Sequence, residues 1–370
     1  MRSKILPLLI AFYLLYWRPV ASAAELSLSL DNPPTSGQVI FELYDSADRF
    51  GDLRDPVMVV ARPLDGRETY RLSDIAAGRY ALMAYHDVNG NGRIDKNFIG
   101  IPREPLAFSN AYAPKGPPSY KRAAFLISEG ETLHFDLRLY RPLGDAGRLG
   151  VGLGVIARSS PYRDYDGNVY RLIPAISYNS ERLQIYGPTL RYGLIGSGDL
   201  RLAASASYRI GVYEEDQSPM LAGMGDREDT LMAGLALQAE LPGGFELGLS
   251  LEHDILDQIG GNNLRLSIKR SFQAGIVRLT PEIALNRLSS ELAQHDFGVP
   301  VDKATPFRPA YELDEAINLE VGLGVFIELS RDWLVILNAS VERLDDQVTD
   351  SPIVDEDTLV KGFAAINYVF

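Results

Sequence analysis

The decapeptide HDVNGNGRID, His86 to Asp95, gathers oxygen-bearing side chains at a regular spacing. Asp87, Asn89 and Asn91 occupy alternate positions, Gly92 follows, Arg93 offers a backbone carbonyl, and Asp95 closes the run. This is the order in which a twelve-residue calcium loop presents its ligands around a sharp glycine bend. The bidentate acid that ends such a loop is missing, because Phe98 stands at that place; Glu104 or another distant carboxylate would have to supply it. A tight turn is the competing reading, since Asn-Gly pairs favour positive φ. It explains less well why both flanking acids keep ligand spacing. The expectation is a structural calcium ion held by Asp87, Asn89, Asn91, Arg93 and Asp95, with weak affinity, roughly 0.1–1 mM.

Other reactive groups are sparse. The four histidines, His86, His134, His253 and His295, form no pair at metal-ligand spacing. No G-x-S-x-G is present, and there is no cysteine, which excludes disulfides, thiolate nucleophiles and thiolate zinc sites. The chain carries 36 Lys and Arg against 49 Asp and Glu, a net charge of -13. That balance argues against nucleic acid as a partner.

The elements that must position these residues fall into two halves. Arg2 and Lys4 precede an apolar run, Ile5 to Trp17, and small residues follow at Ala21 and Ala23. This is the order of a secretory leader, expected over 1–23; the run is shorter than the roughly 20 residues of a spanning helix. From 24 to 140 the sequence is proline-rich and irregularly strand-like. After a linker at 141–146, strict alternation takes over. In FELGLSLEHD, Phe245, Leu247, Leu249 and Leu251 oppose Glu246, Gly248, Ser250 and Glu252. LRLAASASYRI, LRLSIKR and INLEVGLGVFIE repeat the pattern, giving about twelve strands of about ten residues. Tight turns such as YNSE, LPGG and LSRD alternate with long acidic connections such as EEDQSPMLAGMGDRED. Short turns on one rim, long loops on the other and a terminal NYVF predict an outer-membrane barrel with both termini in the periplasm. Tyr170, Tyr178, Tyr208, Trp333, Tyr368 and Phe370 then form its aromatic girdles. The fold class expected is all-β: an N-terminal periplasmic β-sandwich followed by a transmembrane antiparallel β-barrel from 147 to 370.

Several ordered segments carry a family resemblance. GVGLGVIARSSPYRDYDGNVYRLIPAISY, then LAGMGDREDTLMAGLALQAEL, then HDFGVP and the terminal NYVF resemble the MipA/OmpV family of outer-membrane proteins. That resemblance implies a part in scaffolding murein-synthesising and murein-cleaving enzymes, or in adhesion, and supplies no catalytic residues. In the first half, I-x-x-G-x-Y-x-L at Ile75 to Leu82 resembles transthyretin-like β-sandwiches. Tyr80 to Phe125 resembles a small family of exported domains of unknown function, which implies a fold and no activity.

Within a barrel, the remaining charges acquire a place. Arg171, Arg191, Arg201, Arg209, Arg265, Lys269 and Arg278, with Glu246, Glu252, Glu282, Glu320, Glu328 and Glu342, fall on the inward parity. A lumen filled by ion pairs is expected, because buried charges must pair; a narrow pore for small solutes is the alternative. GVGLG, Gly150 to Gly154, reads as small lumen positions. His253 points outward near the outer rim while Ser250 and Glu252 point inward, so a lipid hydrolase is a distant third reading. The function expected is a non-catalytic outer-membrane scaffold whose partners are outer-membrane lipid and cell-envelope proteins, possible murein enzymes among them.

Overall fold

A closed sheet in a membrane turns its apolar face to lipid, so the inside-out order of a water-soluble protein is reversed. The computed structural model, which describes residues 23–165, 167–196 and 199–370, shows this reversal along the second half of the chain. The leader expected over 1–23 lies outside the described residues, Ala23 excepted.

Eight strands precede the barrel: β1 (Ala24–Leu30), β2 (Gln38–Tyr44), β3 (Met58–Pro63), β4 (Thr69–Ile75), β5 (Gly78–Asp87), β6 (Leu106–Phe108), β7 (Phe125–Ile127) and β8 (Thr132–Leu137). One sheet runs β4-β1-β8 and the other β3-β2-β5-β6, with β7 on β5. Leu26, Leu28, Phe41, Leu43, Leu72 and Leu82 fill the space between them, so this region is a β-sandwich. The far face of β2 and β5 is buried too: Ile40, Tyr44, Met83 and Tyr85 pack on Phe50, Leu106 and Phe108. Burial on both faces is why VIFELY and ALMAYHD show no clean alternation.

The barrel comprises β9 (Arg148–Arg158), β10 (Val169–Asn179), β11 (Leu183–Tyr186), β12 (Thr189–Ile195), β13 (Leu200–Arg209), β14 (Thr230–Leu241), β15 (Phe245–Asp254), β16 (Asn262–Arg270), β17 (Phe272–Ala274), β18 (Val277–Leu288), β19 (Ala316–Glu328), β20 (Trp333–Arg343) and β21 (Thr358–Val369). β16 and β17 are two parts of one strand on β18, and β21 closes onto β9, giving a closed antiparallel barrel of twelve strands. Leu153, Leu249, Leu251, Leu319 and Val321 face outward and are exposed, while Arg201, Ser205, Asn286, Glu342 and Asn367 face inward and are buried. At the short-turn rim the rings of Trp333, Tyr368 and Phe370 stack edge to face, with centroids 5.3 and 5.0 Å apart.

The long connections form a structure of their own. Helix Ser290–Phe297, capped by the Ser289 side chain, packs with Tyr162, Tyr213, Leu221, Val348 and Val354 into a second hydrophobic core above the lumen. One connection departs from the pattern of long loops on this rim. β11 has four residues, and Gly187–Pro188 turns it straight into β12. Gly187, at φ 53°, supplies the left-handed backbone that this tight turn needs.

Candidate functional site

The sandwich does not hang free from the barrel. It is seated in the short-turn mouth and fastened around the rim. Helix Ala47–Asp52 brings Asp52 to Arg278, at 2.7 Å, and Asp48 to the backbone N–H of Gln273, at 3.0 Å. Asn97 donates to the Ser180 carbonyl at 3.2 Å. Tyr112 donates to Glu328 at 2.8 Å, and Arg122 lies 3.3 Å from the same carboxylate. Lys115 donates to the Val369 carbonyl and Arg148 donates to the Pro114 carbonyl, at 2.6 and 3.0 Å. The segment just after the decapeptide enters the mouth itself. A Cβ at Gly193 would lie 2.6 Å from the Phe98 ring, so a glycine there leaves room for the ring.

Between the seated sandwich and the lumen lies a cavity of about 940 Å³. Its walls carry eight Lys and Arg against five Asp and Glu, the opposite of the chain as a whole. Most of the cations are paired: Arg201 with Glu240 and Glu246 at 3.2 and 3.0 Å, and Lys269 with Glu246 at 2.7 Å. Arg148 and Arg270 have no carboxylate within salt-bridge distance among the described residues; Arg270 lies over the rings of Phe245 and Phe272.

Higher in the lumen, the inward charges form a network. Arg265 reaches Glu320 at 2.8 Å and Glu282 at 3.3 Å, and Asn286 bridges Glu320 and Glu342 at 3.0 and 3.2 Å. Lys361, which the sequence reading passed over, pairs with Glu342. Arg209 pairs with Asp296 of the loop helix, and Glu252 accepts from Ser207 at 2.7 Å. Two inward positions serve elsewhere: Arg278 and Glu328 sit at the mouth and pair with the sandwich rather than with each other. His253 pairs with Ala233 and Asn262 across its two ladders, and Ser250 with Ala236 and Arg265, so neither ladder sets a serine opposite that imidazole.

The decapeptide folds as a loop leaving β5. Asp87 is fully buried, and its carboxylate accepts from the N–H groups of Gly90, Asn91 and Gly92 and from Gln38, at 2.7, 3.2, 2.8 and 2.7 Å. Burial acts to raise its pKa, but these donors outweigh it and hold the group below the usual carboxylate range. Asn89 and Asn91 both donate to Asp95, at 2.7 and 3.2 Å. Glu104 caps the loop from across, accepting from Val88 and Asp95 N–H at 3.1 Å each. Its carboxyl is pushed up by burial first and by the nearby Asp95 and Asp87 charges in addition. The loop brings the Asp87, Asp95 and Glu104 carboxylates into one hydrogen-bonded web, but among the described residues no group of three or more His, Asp or Glu is arranged to hold a metal ion. A cation there would displace the two asparagine donors from Asp95.

Comparison with known proteins follows the division of the chain. The profile of the family described as MltA-interacting protein MipA matches residues 151–370. The chain belongs to this family. Residues 31–134 match a second family, described as an uncharacterised protein conserved in bacteria, DUF2141. The MltA-interacting protein of Escherichia coli is 28% identical over 225 residues, covering 60% of this chain and 89% of that protein. The outer membrane protein OmpV of Vibrio cholerae is 24% identical over 211 residues, covering 56% of this chain and 81% of its own. Among solved structures, a loop-deletion mutant of Vibrio cholerae OmpT covers 90% of this chain and 97% of its own, at 10% identity and a TM-score of 0.26. As a MipA-family barrel, the chain is an outer-membrane protein, and the seated sandwich is its periplasmic domain.

Proposed function

We propose that this chain is a non-catalytic outer-membrane scaffold whose periplasmic sandwich docks other proteins of the cell envelope. The observation that carries this reading is that the chain occupies both mouths of its own barrel. The loop core covers the outer mouth and the sandwich covers the inner one. A barrel so covered presents to the periplasm a domain fastened to its rim by hydrogen bonds and ion pairs. The name of the Escherichia coli relative, an MltA-interacting protein, supports a partner of this kind. The family resemblance makes a murein-processing enzyme the partner class to test. Full-length protein extracted from membranes should bring such an enzyme with it. A chain lacking 24–140 but retaining the barrel should lose it. Equal recovery with both chains would move the docking surface to the barrel and overturn the reading.

The decapeptide adds a second proposal. A calcium ion held among Asp87, Asn89, Asn91, the Arg93 carbonyl, Asp95 and Glu104 would relieve the mutual repulsion of three nearby carboxylates. It would do so beside the segment that inserts Phe98 into the barrel mouth. Its role would be structural, stiffening the seat of the sandwich.

A further inference from the structure

The short β11–β12 hairpin leaves part of the wall unmade. β10 pairs with β9 along all of Val169–Asn179, but with β11 only at Ser177–Asn179. The Gly187 N–H then meets the Ile176 carbonyl at 2.9 Å, and the hairpin ends. Above that point no strand among the described residues pairs with Val169–Ala175 on this side. Backbone groups repeat every second residue along a strand, so those of Tyr170, Leu172 and Pro174 face the gap, as Ile176 does. Pro174 has no N–H, which suits an unpaired edge and would break a paired ladder. The far side of the gap is the upper end of β13, where Tyr208 N–H meets the Pro188 carbonyl at 2.9 Å. Arg171 and Asp229, 3.9 Å apart, span it at the top. On the lipid face the gap is bordered by Tyr170 and Leu172, which are 67% and 77% exposed.

We propose that this notch is a lateral portal through which an amphiphile, with an acyl tail and an anionic head, passes from the outer membrane into the cavity beneath the lumen. Backbone at membrane depth is tolerated without partners only against protein or water, so the notch must be wetted or occupied. Apart from the Arg171–Asp229 pair at its top, the lipid-facing residues at its edge, Tyr170 and Leu172, are apolar and exposed, so its occupant comes from the bilayer. The portal also meets the cavity. Tyr186 and Gln184 stand at its sill and line the cavity, together with Ser177, Ile336 and Asn338. The Tyr186 hydroxyl is buried and has no hydrogen-bond partner. The loop core covers the outer mouth and the sandwich is seated in the inner one, and the notch opens this space toward the bilayer. The excess of cations on the cavity wall, with Arg148 and Arg270 unpaired by acids, selects an anionic head. A volume of about 940 Å³ holds a head group and part of a chain. This inference does not depend on the scaffold reading.

Because the sequence has no cysteine, single cysteines report single positions. Full-length Asn338→Cys is placed in phospholipid vesicles containing a lipid with a maleimide on its head. The cavity cysteine should react with this membrane-borne reagent. Ile173, on the inward side of β10 behind the notch, is then changed to Trp to block the passage. Ile173→Trp should slow labelling of Asn338→Cys by about tenfold or more, because the ring fills the space behind the notch. Labelling of Leu172→Cys on the lipid face should stay as fast with Ile173→Trp as without it, which shows that the blocked barrel still inserts. Equal rates at Asn338→Cys with and without the block sink the portal. So does an unreactive Asn338→Cys beside a reactive Leu172→Cys. Disulfide-linked dimers through Leu172→Cys, with Asn338→Cys silent, would mean that the edge pairs with a second copy instead. Unreactive phosphatidylglycerol should slow labelling at least about threefold more than phosphatidylcholine does, as charge complementarity requires. Equal competition by the two lipids would overturn the choice of an anionic head.

Discussion

Asp87 sits at the centre of a web of N–H donors, and its charge is the reason the loop after β5 holds its shape. The sign of its pH dependence follows from its depressed pKa. A carboxylate held below its unfolded value of about 3.9 contributes stability above that pH and loses it as the pH falls through the folded value. Protection factors for exchange at Gly90, Asn91 and Gly92, taken against the intrinsic rate at each pH, should therefore be high at neutral pH and fall in the acid range below about pH 4. Asp87→Asn should flatten that acid slope, and protection at these amides should be weaker at neutral pH; an unchanged slope would remove the charge from the account. Calcium is tested at the same residue. If the ion binds, calcium at ten times its dissociation constant should stabilise the loop by about 1.4 kcal/mol, measured by exchange at the same amides against a chelator. Asn89→Asp should preserve or strengthen this effect and Asp87→Ala should abolish it. No difference between calcium and chelator in the wild type leaves a turn built on hydrogen bonds alone. Residue types and spacing made the loop legible in the sequence. They did not reveal that Asp87 is spent on backbone N–H groups, because that depends on how the chain closes on itself.

At the level of elements, the barrel was readable because period-two alternation is a local signal that survives in every strand. The inward parity of Arg265, Glu282 and Glu320 follows from it, and the structure joins them in one network. Removing the cation takes the guanidinium from Glu282 and from the largely buried Glu320, which keeps the more distant Lys361 as its cation. Arg265→Ala should destabilise the barrel by about 3–5 kcal/mol in urea unfolding from vesicles, against less than about 1 kcal/mol for exposed Arg67→Ala. Similar losses for the two would mean that the network adds nothing to stability. Lys361 was missed because GFAAINY carries its small residues on both faces, which blurs the parity of the last strand. The short β11–β12 pair was missed for a different reason. QIYGPTLRYG has the alternation of two strands, and alternation gives no measure of where between the rims a turn stands. The seating of the sandwich was not legible at all, since most of its contacts join residues more than two hundred apart, such as Tyr112 and Glu328.

For the whole molecule, closure at both ends makes a specific electrical expectation. Purified protein in a planar bilayer should show little steady conductance. Deleting 24–140 should leave it low, because the loop core still covers the outer mouth. Large stable steps in the intact protein would favour the narrow pore. Steps that appear only after the deletion would show that the sandwich is the sole barrier. Protease added to intact cells should cut within 214–229 and 289–311, and should spare the turn at 241–244, where Arg54 of the sandwich approaches Gly244.

The grip of the sandwich on the barrel also bears on assembly. Lys115 holds the carbonyl of Val369 at the end of the last strand, and the Pro114 carbonyl takes a hydrogen bond from Arg148 at the start of the first. Those two strands are the ones whose meeting closes the cylinder. Adjacent residues of one loop thus straddle the seam, and they can do so only after both edges are in place. An unfinished barrel offers no complete seat, so a loosely tethered sandwich would mark a chain still in the hands of the insertion machinery. Docking is then a completion signal. A protease pulse during biogenesis should find the 141–146 tether open until the seam shuts, and resistant from that moment on.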